Sequence, residues 1–583
     1  MNVDFTSGFT QRRKGSKGAK GDSVFASLLP LRLCVKLLLF ISLLGCSKSH
    51  NDPPPVPPVP PAPFSMNSVI VEGIENAGIY SNLSTSPVTR IRFSAPVKSS
   101  SIPTSVTFTN QAGTAVPFNH SLSNGDSVML ITPSSPLPWL SKFTVNVSMS
   151  LRSKQEAALT SPVTVNLFTR LDSSDKFPRI SDDELLTLVQ RQTFKYFWDF
   201  AHPVSGLARE RNTSGDVVTS GGSGFGIMAI VTGISRNFIT RAEGLARLQK
   251  IVSFLKNDAD TFHGAFPHWL NGVTGSVVPF SQKDNGADLV ETSYLMQGLL
   301  TARQFFNGGD AAETTLRNDI NSIWNAVDWN WFRNGGQQVL YWHWSPTYNF
   351  EMNIPIRGWN ESLITYLLAA SSTNPIPKSA YDQGWASSGL MKNNNIFYGI
   401  ELPLGPPLGG PLFFAHYSFL GLNPDGLTDA YANYFTQNRN HTLINYNYAV
   451  ANPRGFNGYS DSVWGLTASD IPGGYDASSP TNDLGVIAPT AALSSFPYTP
   501  IESMKALKFF YYKLGDKIWK EYGFVDAFSL HEPWFATSFL AIDQGPIIIM
   551  IENHRTGLLW DLFMSAPEIK NGLMHLGFNS PHI

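Results

Sequence analysis

The 583-residue chain is short of several things that folds and sites commonly lean on. It has two cysteines, too few for a disulfide scaffold or a cysteine-rich zinc module. Charged residues make up 15% of it, well below the roughly 25% of an ordinary soluble domain. Lys+Arg number 42 against 44 Asp+Glu, a net charge of −2. Without a basic field the chain is not expected to bind nucleic acid. No HExxH, CxxC or P-loop signature occurs, and no GxSxG follows a strand pattern, which removes the common metal, redox, nucleotide and serine-hydrolase readings. His531-Glu532 begins like a zinc helix, but Pro533 follows and a second His is missing, so no metal and no cofactor is expected. The run SGGSGFG at 220–226 lacks the strand and downstream acid of a dinucleotide site and reads as a close-packing turn.

Apolar and aromatic residues fill the gap, at 42% and 12% with 14 Trp. Such a length fits two to four domains, or one large barrel with appendages. Both cysteines, Cys34 and Cys46, precede residue 50. The apolar stretch 37–44 is too short to span a bilayer, which takes about 20 residues. With Arg12, Arg13, Lys14, Lys17 and Lys20 ahead of it, it reads as an export signal over 1–45. Leu43-Leu44-Gly45-Cys46 resembles a bacterial lipobox, so Cys46 is expected to carry lipid and to anchor the protein in the cell envelope. Ser47 after it points to the outer membrane. The Pro-rich linker 46–64 cannot pack a core and reads as a stiff polyproline II spacer.

Residues 65–170 alternate with period two. Thr89, Ile91 and Phe93 are separated by Arg90 and Arg92; Phe143, Val145 and Val147, and Val163, Val165 and Leu167, repeat the pattern. Asn124-Gly125-Asp126 marks a turn. Short alternating strands of this kind predict an antiparallel sandwich, and RFSAPVKSSSIPTSVTF with LITPSSPLP resembles the SbsA-type bacterial Ig-like domain. No titratable cluster appears in it, so it reads as a spacer or platform, with carbohydrate binding as the alternative.

From about 175 to 583 the period becomes helical. Ser181-Asp182-Asp183-Glu184 and Thr240-Arg241-Ala242-Glu243 are capping boxes. Further helices are predicted near 287–306, 313–327, 360–371, 427–435, 501–514 and 547–564, with a short Gly-rich stretch at GFGIMAIVTGIS. Ten to twelve helices joined by long loops fit an all-α (α/α)6 toroid better than a strict solenoid.

Because acids are scarce, their clustering is informative. Asp284, Asp288 and Glu291 fall at i, i+4 and i+7, on one face if that stretch is helical. Like charges so placed repel, which suggests a task; helix-dipole acids are the bland alternative. Glu361, flanked by Arg357, Trp359 and Asn360, opens an apolar helix. A carboxyl beside a Trp in a poorly solvated cleft has a raised pKa, as a general acid needs. Asp543 precedes another apolar helix, where it or Glu552 reads equally as a structural partner of His554 or Arg555. Around these acids lie His268, Trp269, Trp342, Trp344 and Trp359, whose flat faces suit sugar rings. Paired carboxylates and aromatics point to glycoside hydrolysis.

The ordered runs GAFPHWLNG, DNGADLVETSYLMQGLL, YWHWSP, IRGWNESLITYLLAASS, GPLFFAHYSFLGL, GLTASDIPGGY and AIDQGPIIIMIENHRTGLLWDLFM resemble glycoside hydrolase family 144, the bacterial glucoamylase-like domain, over about 180–583. The resemblance implies inverting, mostly endo cleavage of β-1,2-glucan. It makes Glu361 the expected proton donor and leaves Asp284, Asp288 and Asp543 as candidates for the base, with Glu291 in the same acidic segment. Trp359, His268, Trp269, Trp342, Trp344 and Arg357 are the expected substrate contacts, in a monomer. Two rivals stand beside this: a polysaccharide lyase on the same fold, and a non-catalytic glycan-binding lipoprotein.

Overall fold

The structure, a computed structural model, describes residues 62–583. The expected signal segment, Cys46 and nearly all of the Pro-rich linker lie outside the described residues. Those described divide between Leu171 and Asp172 into two compact units, and no helix among them is long and apolar enough to cross a membrane.

The first unit is a two-sheet sandwich. One sheet contains β1 (Met66–Val71), β2 (Ile74–Glu75), β4 (Thr89–Phe93), β6 (Phe118–Ser123) and β7 (Val128–Pro133); the other contains β3 (Ile79–Leu83), β5 (Val106–Asn110), β8 (Lys142–Val147) and β9 (Val163–Thr169). Alternation decides which side chains face inward. In β4, Thr89, Ile91 and Phe93 are buried while Arg90 and Arg92 are exposed, and Val145 of β8 pairs directly with Val165 of β9 in the core. One expectation needs correcting: the sandwich is not purely antiparallel, because β3 runs parallel to β9.

The second unit is a ring of six outer–inner helix pairs. They are α1 (Asp182–Trp198) with α2 (Ser220–Ser235), α3 (Arg241–Asn257) with α4 (Leu289–Phe305), and α5 (Ala311–Ala326) with α6 (Leu363–Ser371). A fourth pair is reduced to short helical turns at 378–385 and 412–419; α7 (Tyr434–Ala451) with α8 (Pro489–Leu493) and α9 (Pro500–Tyr512) with α10 (Ala541–Thr556) complete the ring. Outer helices carry an apolar stripe, whereas α2, α4 and α6 are buried nearly all round, as helices enclosed by others must be. The ring closes where Gln190 of α1 donates to Ile548 O and Glu552 of α10, and Arg236 pairs with Glu552 at 2.6 Å.

Both predicted capping boxes form, at Ser181 and Thr240. Three other expectations shift. SGGSGFG is no turn but the first two turns of α2, and its glycines do pack closely: a Cβ on Gly224 would lie 2.1 Å from Tyr294 O of α4. The helix expected at 427–435 begins only at Tyr434, after an Asn433 cap. The stretch expected as one helix over 547–564 is two, α10 and Leu558–Met564, separated by Gly557 at φ +73°.

Every inner helix starts where a long loop arrives from the outer helix before it. Loops 258–288, 327–362 and 513–540, which precede α4, α6 and α10, therefore emerge on one rim of the ring, with the inner-helix N-termini. The candidate acids sit there.

Candidate active site

A cleft open to solvent lies on this rim. Its lining includes the carboxylates Glu210, Glu291 and Glu361 and the aromatics His268, Trp269, Phe280, Tyr294, Trp342, Phe413, Tyr417 and Tyr475. Of the sequence candidates, Glu291, Glu361, His268, Trp269 and Trp342 meet here.

The acidic triplet converges, though not by helical spacing. Asp284 sits in a turn and Asp288 in a two-residue strand, Ala287–Asp288, paired antiparallel with His343–Trp344. Asp288 is the N-cap of α4: its Oδ1 accepts from the Val290 and Glu291 amides, both at 3.0 Å. Only Glu291 is helical. With its other oxygen Asp288 takes His268 Nδ1 at 3.1 Å, and His268 Nδ1 is also 3.8 Å from Glu291 Oε1. Behind them His343 Nε2 lies 3.5 Å from Asp288 Oδ2 and 3.4 Å from Asp284 Oδ2. The result is a buried chain of alternating carboxylate and imidazole, Asp284–His343–Asp288–His268–Glu291, whose last member faces the cleft.

Burial opposes ionisation of Asp288, but the hydrogen bond from His268 and the His343 imidazole close by outweigh it and hold the carboxyl well below its ordinary range. Asp288 is fully buried and holds His268 and the first turn of α4 in place. Two sets, His268/Asp288/Glu291 and Asp284/Asp288/His343, bring their ligand atoms within 4.8 Å of one another and could each hold a cation.

Glu291 is fixed from a second side. Gly221 N, in the first turn of α2, donates to its Oε2 at 3.1 Å, and a Cβ on Gly221 would stand 2.2 Å from that oxygen. Glu361, 4% exposed, sits just before α6, held through its backbone carbonyl by the hydroxyls of Tyr294 and Ser418. Asp543 is buried in the first turn of α10, next to Ile542 of the cleft wall. Burial, then the charge of Asp543, then Tyr475, Tyr294 and Glu361 push the Tyr417 hydroxyl far above its ordinary range. Tyr417 therefore keeps its proton and can donate.

The remaining candidates lie off the cleft lining. Trp359 is 2% exposed and packs on Phe419 and Tyr434, each at 6.2 Å between centroids. Arg357 is exposed and donates to Gln383 O at 2.8 Å. Trp344 contacts Phe262, His263 and Trp331. Sequence reasoning missed Glu210, which pairs with Arg211 at 3.0 Å, and Tyr294, Phe413, Tyr417 and Tyr475. They come from four separate segments, Phe413 and Tyr417 sharing the turns at 412–419, and no local pattern singled them out.

Fold and cleft define a class: an (α/α)6 toroid whose carboxylate- and aromatic-lined cleft suits a sugar chain. Comparison with known proteins gives the family. A family profile described as "Putative glucoamylase" matches residues 353–567, and one described as "Bacterial Ig-like domain" matches 76–169. An endo-β-1,2-glucanase from Chitinophaga pinensis, solved with sophorotriose and glucose, is 53% identical, with a TM-score of 0.68, over 70% of this chain and 100% of that one. A β-1,2-glucanase structure from Parabacteroides distasonis is 38% identical, with a TM-score of 0.67, over 88% of this chain and 73% of that one. An exo β-1,2-glucooligosaccharide sophorohydrolase (non-reducing end) of Parabacteroides distasonis is 47% identical over 428 residues, 69% of this chain. The match spans 59% of that relative's length. The chain belongs to this glucoamylase-like family, of the glycoside hydrolase 144 type, and carries an Ig-like domain ahead of it.

Proposed function

We propose that the protein is a glycoside hydrolase that cleaves β-1,2-linked glucan by inversion, within the chain. The observation that carries this is the placing of Glu291 and Glu361, from different hairpins, on one aromatic-walled cleft. Inversion needs one carboxyl to protonate the leaving oxygen and another to activate water. Glu361 is assigned as the acid: it is nearly buried, beside a tyrosine that remains a donor. Asp543 and the Asp288-supported Glu291 are the candidates for activating water, with Asp284 behind them as a support. His268, Trp269 and Trp342 hold the sugar rings. Endo action follows the Chitinophaga relative, which matches over its whole length.

Incubation with linear β-1,2-glucan should give new reducing ends and a ladder of short oligosaccharides. Products absorbing in the ultraviolet would mean a lyase, no products a binding protein, and sophorose alone an exo enzyme like the Parabacteroides relative. We propose further that Cys46 carries lipid and places the enzyme at the cell envelope, on the basis of the lipobox-like sequence. Cys46→Ser should move the protein from the membrane to the soluble fraction; unchanged membrane association would contradict this.

A further inference from the structure

We infer that the rim carries a second sugar-binding platform, built on Trp331, His263 and Trp344, which grips the glucan chain after it leaves the cleft. The inference rests on the proposed function and extends its site outward. Trp331 is 41% exposed, unusual for the largest apolar side chain in a unit whose other tryptophans are mostly enclosed. It is not loosely placed. His263 stacks on it at 3.9 Å between centroids and 17°, and Trp344 stands edge-on to His263 at 4.7 Å and 87° and lies 6.4 Å from Trp331. A rigid, exposed aromatic surface with polar edges is what a pyranose face stacks on.

Backbone geometry supports a built surface. His263 is held in the left-handed region at φ 52°, a conformation that costs a non-glycine residue energy and persists only where its surroundings impose it. Asp328 imposes it: its amide donates to His263 O at 2.9 Å, and its own carbonyl accepts from the Trp331 amide at 3.1 Å. The two loops that carry the platform are thereby tied together.

The occupant follows from continuity with the cleft. His263 shares loop 258–288 with His268 and Trp269, and Trp331 and Trp344 share loop 327–362 with Trp342 and Glu361. Trp344 follows Trp342 by two residues, at the end of the short strand His343–Trp344. Trp342 lines the cleft. Trp344, with Trp331 6.4 Å away, therefore carries the exposed aromatic surface on the same loop that supplies the cleft wall, next to where the glucan chain would leave it.

The test is binding without turnover, in full-length protein carrying Glu361→Gln. Trp331→Ala should weaken affinity for linear β-1,2-glucan polymer about 3- to 10-fold, Trp331→Phe should restore most of it, and affinity for a β-1,2-linked trisaccharide should not change. Equal polymer affinity with and without Trp331 would overturn the platform, as would an equal loss for the trisaccharide. Failure of the hydrolase reading shows separately, as absence of reducing ends from the parent protein, while the polymer-binding comparison still decides the platform.

Discussion

At the scale of single residues, the site is a problem of holding like charges close together in a dry place. Asp288 solves it by giving one oxygen to the amides of α4 and the other to His268. Glu291 depends on Gly221 because nothing larger leaves room for its carboxylate. Gly221→Ala should therefore displace Glu291, the flexible partner in that clash, and lower kcat on β-1,2-glucan by roughly 10- to 100-fold while the melting temperature changes little. An unchanged kcat would show that the position of Glu291 does not matter. The scarcity of acids made this cluster legible in the sequence, but the reason for its convergence was not. Helical spacing suggested one face, whereas a cap and a short strand pair do the work. Glu210 was invisible because it is isolated in sequence and meets the others only when the ring closes; Tyr417 lay in a quoted run, but nothing local marked its hydroxyl.

At the scale of elements, legibility followed periodicity. β4, β8 and β9 were readable because one face is wet, and α1 and α3 because their caps and stripes are explicit. Inner helices have no wet face, so α2 shows no alternation and its glycines looked like a turn. They are instead where α2 and α4 touch. Gly224→Ala would drive a Cβ against Tyr294 O and Leu295 Cα, at 2.1 and 2.6 Å, and backbone cannot step aside as a side chain can. It should destabilise the helical unit by about 1–3 kcal/mol or more. Ser181→Ala, which removes a cap on an outer helix, should cost about 1 kcal/mol. Thermal unfolding of the two variants checks the ranking, and a harmless Gly224→Ala would contradict the packing described for α2 and α4.

At the scale of the whole molecule, a large enclosed core holds histidines that respond to acid above the range of the carboxylates. Burial, with His441 nearby, holds His416 at a pKa of about 3, and burial holds His441 at about 4 although Gly410 O accepts from it. Both folded values lie below the ordinary 6.5, so between pH 6.5 and about 4 the unfolded chain takes up protons that the folded one refuses. Stability is then level above pH 6.5 and falls as pH drops below it, by about 1.4 kcal/mol per pH unit for each histidine. Melting temperature measured against pH should show this decline, and His416→Gln with His441→Gln should flatten it. An equally steep decline in the double variant would place the acid sensitivity elsewhere.

The central claim is that Glu361 protonates the leaving oxygen of a β-1,2-glucan held in this cleft. Initial rates of reducing-end release from linear β-1,2-glucan, for the parent protein and for Glu361→Gln, test it most directly. The account predicts a loss of about 10²- to 10⁴-fold in kcat with the melting temperature retained. A variant that hydrolyses the glucan at near the parent rate would contradict it.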